Sequence, residues 1–96
     1  MITHTALFRL KHPAGSVEEA AFLKAADVLI AIPGVENFQK LRQVSPKNEF
    51  AFCFSMQFKS QEEYDFYNSH PDHEAFVQRR WIPEVAAFME VDYVNL

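Results

Sequence analysis

Residues 50–58 alternate between large apolar side chains and small or polar ones, and no other pattern constrains the fold of this chain as strongly. The large residues are Phe50, Phe52, Phe54, Met56 and Phe58, and those between them are Ala51, Cys53, Ser55 and Gln57. Successive side chains of a β-strand point to opposite faces of the sheet, so this period of two predicts a strand with one fully apolar face. With 10 phenylalanines in 96 residues, that face is expected to enter an aromatic core or line an aromatic cavity.

The first ten residues predict a second strand of the same kind, over residues 2–10. One face would carry Ile2, His4, Ala6, Phe8 and Leu10, and the other Thr3, Thr5, Leu7 and Arg9. Because its neighbours on that face are apolar, His4 is expected to be buried. A lone buried histidine is more often a hydrogen-bonded core residue than a catalyst.

Helix signals follow the first strand. Ser16 and Glu19 have the spacing of a capping box, which predicts a helix over residues 17–31. The sequence Ile-Pro-Gly at 32–34 ends it, since proline restricts the residue before it and glycine permits a turn. Residues 35–44 predict a weaker, more polar strand.

A second helical region follows the phenylalanine strand. Ser60 is placed to cap a short helix within residues 60–68, and a longer helix is predicted within 70–88. Pro83 is expected to kink or end the longer helix. Residues 88–94 predict the last strand.

The predicted order is therefore β-α-β-β-α-β in a single domain over residues 1–96. Right-handed crossovers around four strands give a ferredoxin-like α+β sandwich, with a four-stranded antiparallel sheet and both helices on one face. Leu7, Cys53 and Ser55 would lie on the uncovered face. A half-apolar face usually acquires a second layer, so we expect a homodimer whose two sheets form a shared dimeric α/β barrel.

Composition excludes several functional classes. The net charge is −4 and the nine basic residues are scattered, whereas nucleic-acid binding requires a basic stripe. A single cysteine excludes an internal disulfide and a cysteine-based zinc site. The sequence has neither a signal-peptide pattern nor an apolar run near the roughly 20 residues of a membrane span. We therefore expect a cytoplasmic protein without a membrane partner.

The sequence YNSHPDHEAF, residues 67–76, is the strongest candidate for a functional site. Pro71 at the first helical position places His73 in the first turn, where the helix dipole disfavours a protonated ring. A neutral histidine is what a general base requires, but His73 could equally pack under the helix and bond the backbone. His70 is expected to cap the helix, and the Tyr67 hydroxyl could donate to a developing oxyanion if it reaches a cavity.

Two further features bear on the chemistry. Asp92 points opposite to Val91 and Tyr93, where it could orient a histidine by accepting its ring proton or end the strand as a solvated charge. His70 and His73 could share one face, but no third ligand stands at a fixed spacing, so we predict no metal site. No cofactor motif is visible either.

Four segments resemble one family. MITHTALFRL, AIPGVENF, YNSHPDHEAF and the closing VDYV resemble, in the same order, the stress-responsive A/B barrel (Dabb) domain of the dimeric α+β barrel superfamily. The resemblance implies the ferredoxin-like fold and the homodimer. In a plant polyketide cyclase of that family, a histidine of this motif is the general base and an upstream tyrosine positions substrate and stabilises negative charge. These positions match His73 and Tyr67, and the family's first-strand histidine and closing aspartate match His4 and Asp92.

The chain also departs from the family. Phe50-Ala51-Phe52 replaces a common Tyr-Thr-His, and Lys40-Leu41 replaces Trp-Gly, which predicts a drier pocket with one polar group fewer. We expect an apolar cavity for a small apolar or aromatic ligand, with His4, Tyr67 and His73 projecting into it. The predicted walls are Phe8, Phe52, Phe54 and Phe76.

The resulting hypothesis is a cofactor-free lyase or cyclase acting on a carbonyl compound, with His73 as base and Tyr67 as oxyanion donor. Two alternatives stay open. One is a non-catalytic ligand-binding or structural dimer module, in which the phenylalanines fill a closed core. The other is a cofactor-independent monooxygenase of the same superfamily.

Overall fold

The first strand, β1 (Ile2–Leu10), pairs on both sides in the computed structural model, which describes residues 1–96. It runs antiparallel to β3 (Phe52–Phe58) on one side and to β4 (Val85–Tyr93) on the other. The remaining strand, β2 (Glu36–Arg42), pairs antiparallel with β3. The sheet order is β2-β3-β1-β4, which confirms the predicted four-stranded antiparallel sheet and ferredoxin-like order.

The predicted first helix is divided into two types of helix. An α-helix, α1 (Val17–Ala25), begins at Ser16, whose hydroxyl accepts from the Glu19 amide. It continues as a 3-10 helix over Ala26–Ala31. Gly34 follows with a φ of +93°, a left-handed conformation that glycine adopts without strain. The prediction of one helix over 17–31 was right in extent, but it did not foresee the tighter second half.

The second helical region begins as predicted and ends earlier. Helix α2 (Gln61–Ser69) is capped by Ser60, and α3 (Pro71–Phe76) by the His70 side chain, which accepts from the Asp72 amide. A π-helical turn over Val77–Trp81 leads into the short α4 (Ile82–Glu84).

The helix predicted within residues 70–88 ends next to Pro83, as expected of that residue, and the last strand begins before the predicted residue 88. Pro83 lies one residue before the helix ends, and β4 begins at Val85. The segment after Pro83 is extended because Val85 and Ala87 pair with Leu10 and Arg9 of β1.

All helices pack on one face of the sheet, over a core that is largely aromatic. Phe8, Phe22 and Phe58 are completely buried, and the Phe8 ring lies 4.6 Å from that of Phe54 and 5.6 Å from that of Phe22, centroid to centroid. Burial of a side chain of this size stabilises a fold by about 1.5–3 kcal/mol. No helix combines the length and apolarity that a membrane crossing needs.

The opposite face of the sheet has no covering layer within the chain. Strand pairing places Leu41, Cys53, Leu7 and Met89 in one row that crosses all four strands. Leu41 and Met89 are 44% and 47% exposed, respectively. This row is a continuous apolar strip on a surface that water reaches.

Candidate active site

A cavity of about 390 Å³ lies between the helices and the sheet. This volume is within the range of about 300–1,000 Å³ that is usual for small-molecule sites. Ten of its 13 lining residues are hydrophobic, so a ligand would meet apolar walls with few polar groups. The lining residues are His4, Ala6, Leu29, Phe54, Met56, Tyr67, His73, Phe76, Val77, Trp81, Ile82, Phe88 and Glu90.

A break between two helices brings Tyr67 and His73 together. Helix α2 stops at His70, whose ψ of 136° is extended, and Pro71 restarts the chain as α3. The change of direction puts the Tyr67 and His73 rings 4.4 Å apart, centroid to centroid. The His-Pro element of the sequence thus sets the distance between the two groups.

The hydrogen bond of His73 determines which ring nitrogen can act as a base. Its Nδ1 lies 3.0 Å from the carbonyl oxygen of Asn68. A carbonyl oxygen only accepts, so Nδ1 carries the proton and Nε2 is left with a free lone pair. Burial lowers the pKa of His73 below its ordinary value of 6.5, against the opposing effect of the Asn68 carbonyl. His73 is therefore a neutral base near pH 7.

Tyr67 is a buried phenol whose hydroxyl has no partner within the chain. The residue is 2% exposed, and its ring packs against Phe58 and lies 6.2 Å from the His4 ring. Burial, and to a lesser extent the charge of Glu90, raises the pKa of Tyr67 above that of an ordinary phenol. The hydroxyl is thus a neutral donor on the cavity wall.

A second histidine is held by a separate network. His4 lies opposite Asp92 in the β1–β4 pairing, and its Nδ1 is 2.6 Å from Asp92 Oδ1. The Tyr64 hydroxyl is 2.8 Å from Asp92 Oδ2 and 2.8 Å from His4 Nδ1. A carboxylate only accepts, so Asp92 receives one hydrogen bond from the His4 ring and one from Tyr64. In the neutral ring, His4 Nε2 is then the nitrogen that carries no proton, as in His73.

Tyr64 was missed by the analysis of the sequence. It precedes Tyr67 by three residues on α2, so both tyrosines share one helix face, and that spacing was the available signal. Its ring is stacked on Phe58 at 5.0 Å, and burial together with Asp92 raises the pKa of its hydroxyl.

Two of the four phenylalanines predicted as cavity walls lie in the lining, and two lie elsewhere. Phe54 and Phe76 line the cavity with His4, Tyr67 and His73. Phe8 and Phe52 lie in the core and do not line the cavity. The Phe8 ring packs 5.0 Å from the Trp81 ring. The Phe52 ring is covered by the Arg42 guanidinium.

Their place is taken by residues that the sequence did not identify. Phe88 and Glu90 alternate with outward residues along β4, and Trp81 and Ile82 lie on the helical segment before it. Phe88 and Glu90 fall within the strand predicted over residues 88–94, where alternation with Asp92 was the available signal for them. No three His, Cys, Asp or Glu side chains come close enough together to hold a metal ion.

Comparisons with known proteins agree with this fold. The family model described as the Stress Responsive A/B Barrel Domain (Dabb) matches residues 2–95. A Dabb family protein of ferredoxin-like fold from Mesorhizobium loti is 54% identical, with a TM-score of 0.97 over 99% of this chain and 96% of that one.

More distant structures share the fold alone. A dimeric ferredoxin-like protein of unknown function from Thermobifida fusca is 23% identical, with a TM-score of 0.80 over 98% of this chain and 90% of that one. A hydroxynitrile lyase from Passiflora edulis is 15% identical, with a TM-score of 0.84 over 98% and 93%. No curated protein matches this chain.

The network around His4 predicts its tautomer. At a pH where the ring is neutral, long-range proton–nitrogen NMR should show a protonated Nδ1 and a bare Nε2 in the wild type. Asp92→Asn replaces an obligate acceptor by an amide that can also donate, so the fraction protonated at Nε2 should rise. Asp65→Asn makes the same change on the exposed face of α2 and should leave the His4 signals unchanged. A wild-type His4 protonated mainly at Nε2 would contradict the network.

Proposed function

The chain belongs to the stress responsive A/B barrel domain family, and on that premise we propose that its cavity catalyses cofactor-free proton transfer on a small carbonyl compound. The substrate would be apolar or aromatic, and the reaction a lyase or cyclase step. The observation that carries the proposal is the pairing of a neutral histidine base with a neutral phenol donor, 4.4 Å apart ring to ring on an apolar wall.

The proposed step moves one proton and stabilises one charge. His73 Nε2 takes a proton from the carbon alpha to the carbonyl, which leaves an imidazolium and an enolate. The Tyr67 hydroxyl donates a hydrogen bond to the enolate oxygen as negative charge develops there. The enolate then either attacks a second carbonyl of the same molecule, and the imidazolium protonates the alkoxide that forms, or it expels a leaving group, and the imidazolium protonates that group as it departs.

The surroundings of the two residues favour His73 as the base and Tyr67 as the hydrogen-bond donor. Ten of the 13 lining residues are hydrophobic, so the dielectric constant is lower there than in bulk water and a hydrogen bond to a developing oxyanion is stronger. The Asn68 carbonyl holds the His73 ring and stabilises its protonated form, because Nδ1–H becomes a better donor in the imidazolium. Phe54 and Phe76 would contact the ligand, and Nε2 of His4, whose ring Asp92 holds, would accept a hydrogen bond from a hydroxyl of the ligand.

A non-catalytic role is the second candidate. The apolar lining alone is sufficient to bind an aromatic ligand, and the bond from His73 to the backbone is one that a purely structural histidine would also make. The Passiflora neighbour supports the catalytic candidate only to the extent that one protein of this fold is a lyase. The two candidates differ in whether protons of a bound ligand exchange.

We also propose a homodimer formed through the uncovered sheet face. The row of Leu41, Cys53, Leu7 and Met89 would be buried against its counterpart, which removes apolar surface from water. Fold neighbours from Thermobifida fusca and elsewhere are described as dimeric. The cavity lies on the other side of the sheet, so the dimer would leave the site formed by each chain intact.

Proton exchange tests the catalytic proposal. The wild type in D2O should replace the acetyl protons of para-hydroxyacetophenone with deuterium faster than buffer does, as followed by proton NMR. His73→Gln should lower the rate by roughly 10²–10⁴-fold, the usual contribution of a general base. Tyr67→Phe should lower it by roughly 10²–10³-fold, that of one oxyanion donor.

The matched control is His70→Asn, which changes the other histidine of the motif and keeps a side chain that caps helices well. Its exchange rate should equal that of the wild type. A ligand that binds without any enhanced exchange would favour the non-catalytic candidate. Equal rates in the wild type and His73→Gln would remove His73 from the mechanism.

The pH dependence of kcat/KM follows from the two pKa shifts. A protonated His73 cannot accept a proton, and burial lowers its pKa, so kcat/KM should rise with pH to a plateau reached near the ordinary value of 6.5. The midpoint of the rise should lie below that value. Because burial raises the pKa of Tyr67, its phenol stays protonated, and the plateau should extend past about pH 10, the ordinary pKa of a phenol. A midpoint above 6.5 would contradict this assignment.

Sedimentation tests the dimer. Sedimentation equilibrium should give the wild type a mass of twice the 11.1 kDa of the chain. Leu7→Asp should have the mass of a monomer, because it places a charge in the centre of the apolar row. Val17→Asp, at an 81% exposed helix position, should remain dimeric. Circular dichroism would establish that both variants are folded. A dimer that persists in folded Leu7→Asp would place the interface elsewhere.

A further inference from the structure

Glu90 is the one carboxylate among the residues that line the cavity. It pairs across the sheet with Ala6 of β1, and alternation along β4 puts it on the helix-covered face with Phe88 and Asp92. The next carboxylate on that face, Asp92, bonds to His4 and Tyr64. The side chain of Glu90 makes no hydrogen bond or ion pair within the chain.

No lysine or arginine in the cavity balances this charge. Neither residue type is among the 13 lining residues, and burial lowers the pKa of His73, which favours its neutral ring. Burial is the main influence on the pKa of Tyr67 and of His73, and the charge of Glu90 adds a smaller upward effect at both. A ligand in the cavity would therefore feel a net negative potential.

We propose that Glu90 is a specificity-determining residue, which selects carbonyl compounds that lack an anionic group and present a hydroxyl or amine donor to its carboxylate. This inference rests on the proposed function, since it names the substrate class of that same site.

Two effects act in the same direction. A carboxylate or phosphate on the ligand would be repelled by a charge that no cation in the cavity offsets, and juxtaposed like charges are a strong source of discrimination. A ligand that enters also displaces water from Glu90, and a carboxylate that loses a hydrogen bond without a replacement costs free energy. A hydroxyl or ammonium replaces that hydrogen bond, whereas a methyl group does not.

Four matched ligands test the proposal: acetophenones with a hydroxyl, aminomethyl, methyl or carboxylate group at the para position. Affinities would be read from the ring signals of His73 by NMR titration. The wild type should bind the hydroxyl and aminomethyl compounds about tenfold or more tightly than the carboxylate, a difference of the size that one close charge produces. The methyl compound should fall between them.

Substitution of Glu90 should change this order. Glu90→Gln should reduce the difference between aminomethyl and carboxylate to within about threefold, mainly by strengthening carboxylate binding, and Glu90→Lys should reverse it. Glu18→Gln removes the same charge from an exposed position on α1 that bonds to nothing, and it should keep the wild-type order.

The outcomes separate this inference from the proposed function. An order of affinities that is identical in the wild type and Glu90→Gln would overturn the role of Glu90, while ligand binding at His73 would still support the site. Failure of all four ligands to perturb His73 would overturn the site itself and, with it, the selection by Glu90.

Discussion

The candidate site depends on one small residue in a row of large ones. Pairing aligns Phe54, Ala6 and Glu90 across β3, β1 and β4, between the row of Phe52, Phe8 and Phe88 and the row of Met56, His4 and Asp92. Ala6 fills little of the space beneath the helices, so the close packing of the aromatic core is interrupted there. The cavity lies above Ala6. His4, Tyr67 and His73 line it, because they belong to the neighbouring row and to α2 and α3, which border this gap.

The second constraint is the control of two imidazole rings by acceptors outside the cavity. The Asn68 carbonyl and the Asp92 carboxylate each accept a hydrogen bond from the Nδ1–H of one histidine, so in the neutral form of either ring Nε2 is the acceptor. Tyr67 lies between the rings and contributes a donor with no other partner. A site with two bases and one donor in apolar surroundings is suited to proton transfer at carbon, where the charge that develops is small and delocalised.

Local patterns were sufficient for the fold and for part of the site. The period of two in β1 and β3, the serine caps and the His-Pro break are properties of neighbouring residues, and each predicted its element. Local patterns do not show which phenylalanine lines the cavity. Phe52 and Phe54 share one face of β3 and differ only in their partners on β1, which are Phe8 and Ala6, respectively. The bond of Tyr64 to Asp92 joins residues 28 positions apart. Glu90 lay within the strand predicted over residues 88–94, but its place on the cavity wall depends on its pairing with Ala6 of β1. These features depend on register between distant strands, which no local pattern encodes.

The most direct test of the account is the pKa of His73, measured by NMR with and without para-hydroxyacetophenone. Burial in a cavity that accepts ligands predicts a value below 6.5 for the free protein and a clear change in the ring signals when the ligand binds. His70, at the helix cap outside the cavity, serves as an internal reference and should not respond. A His73 that titrates with an ordinary pKa and does not respond to the ligand would show that the Tyr67–His73 pair is packing alone.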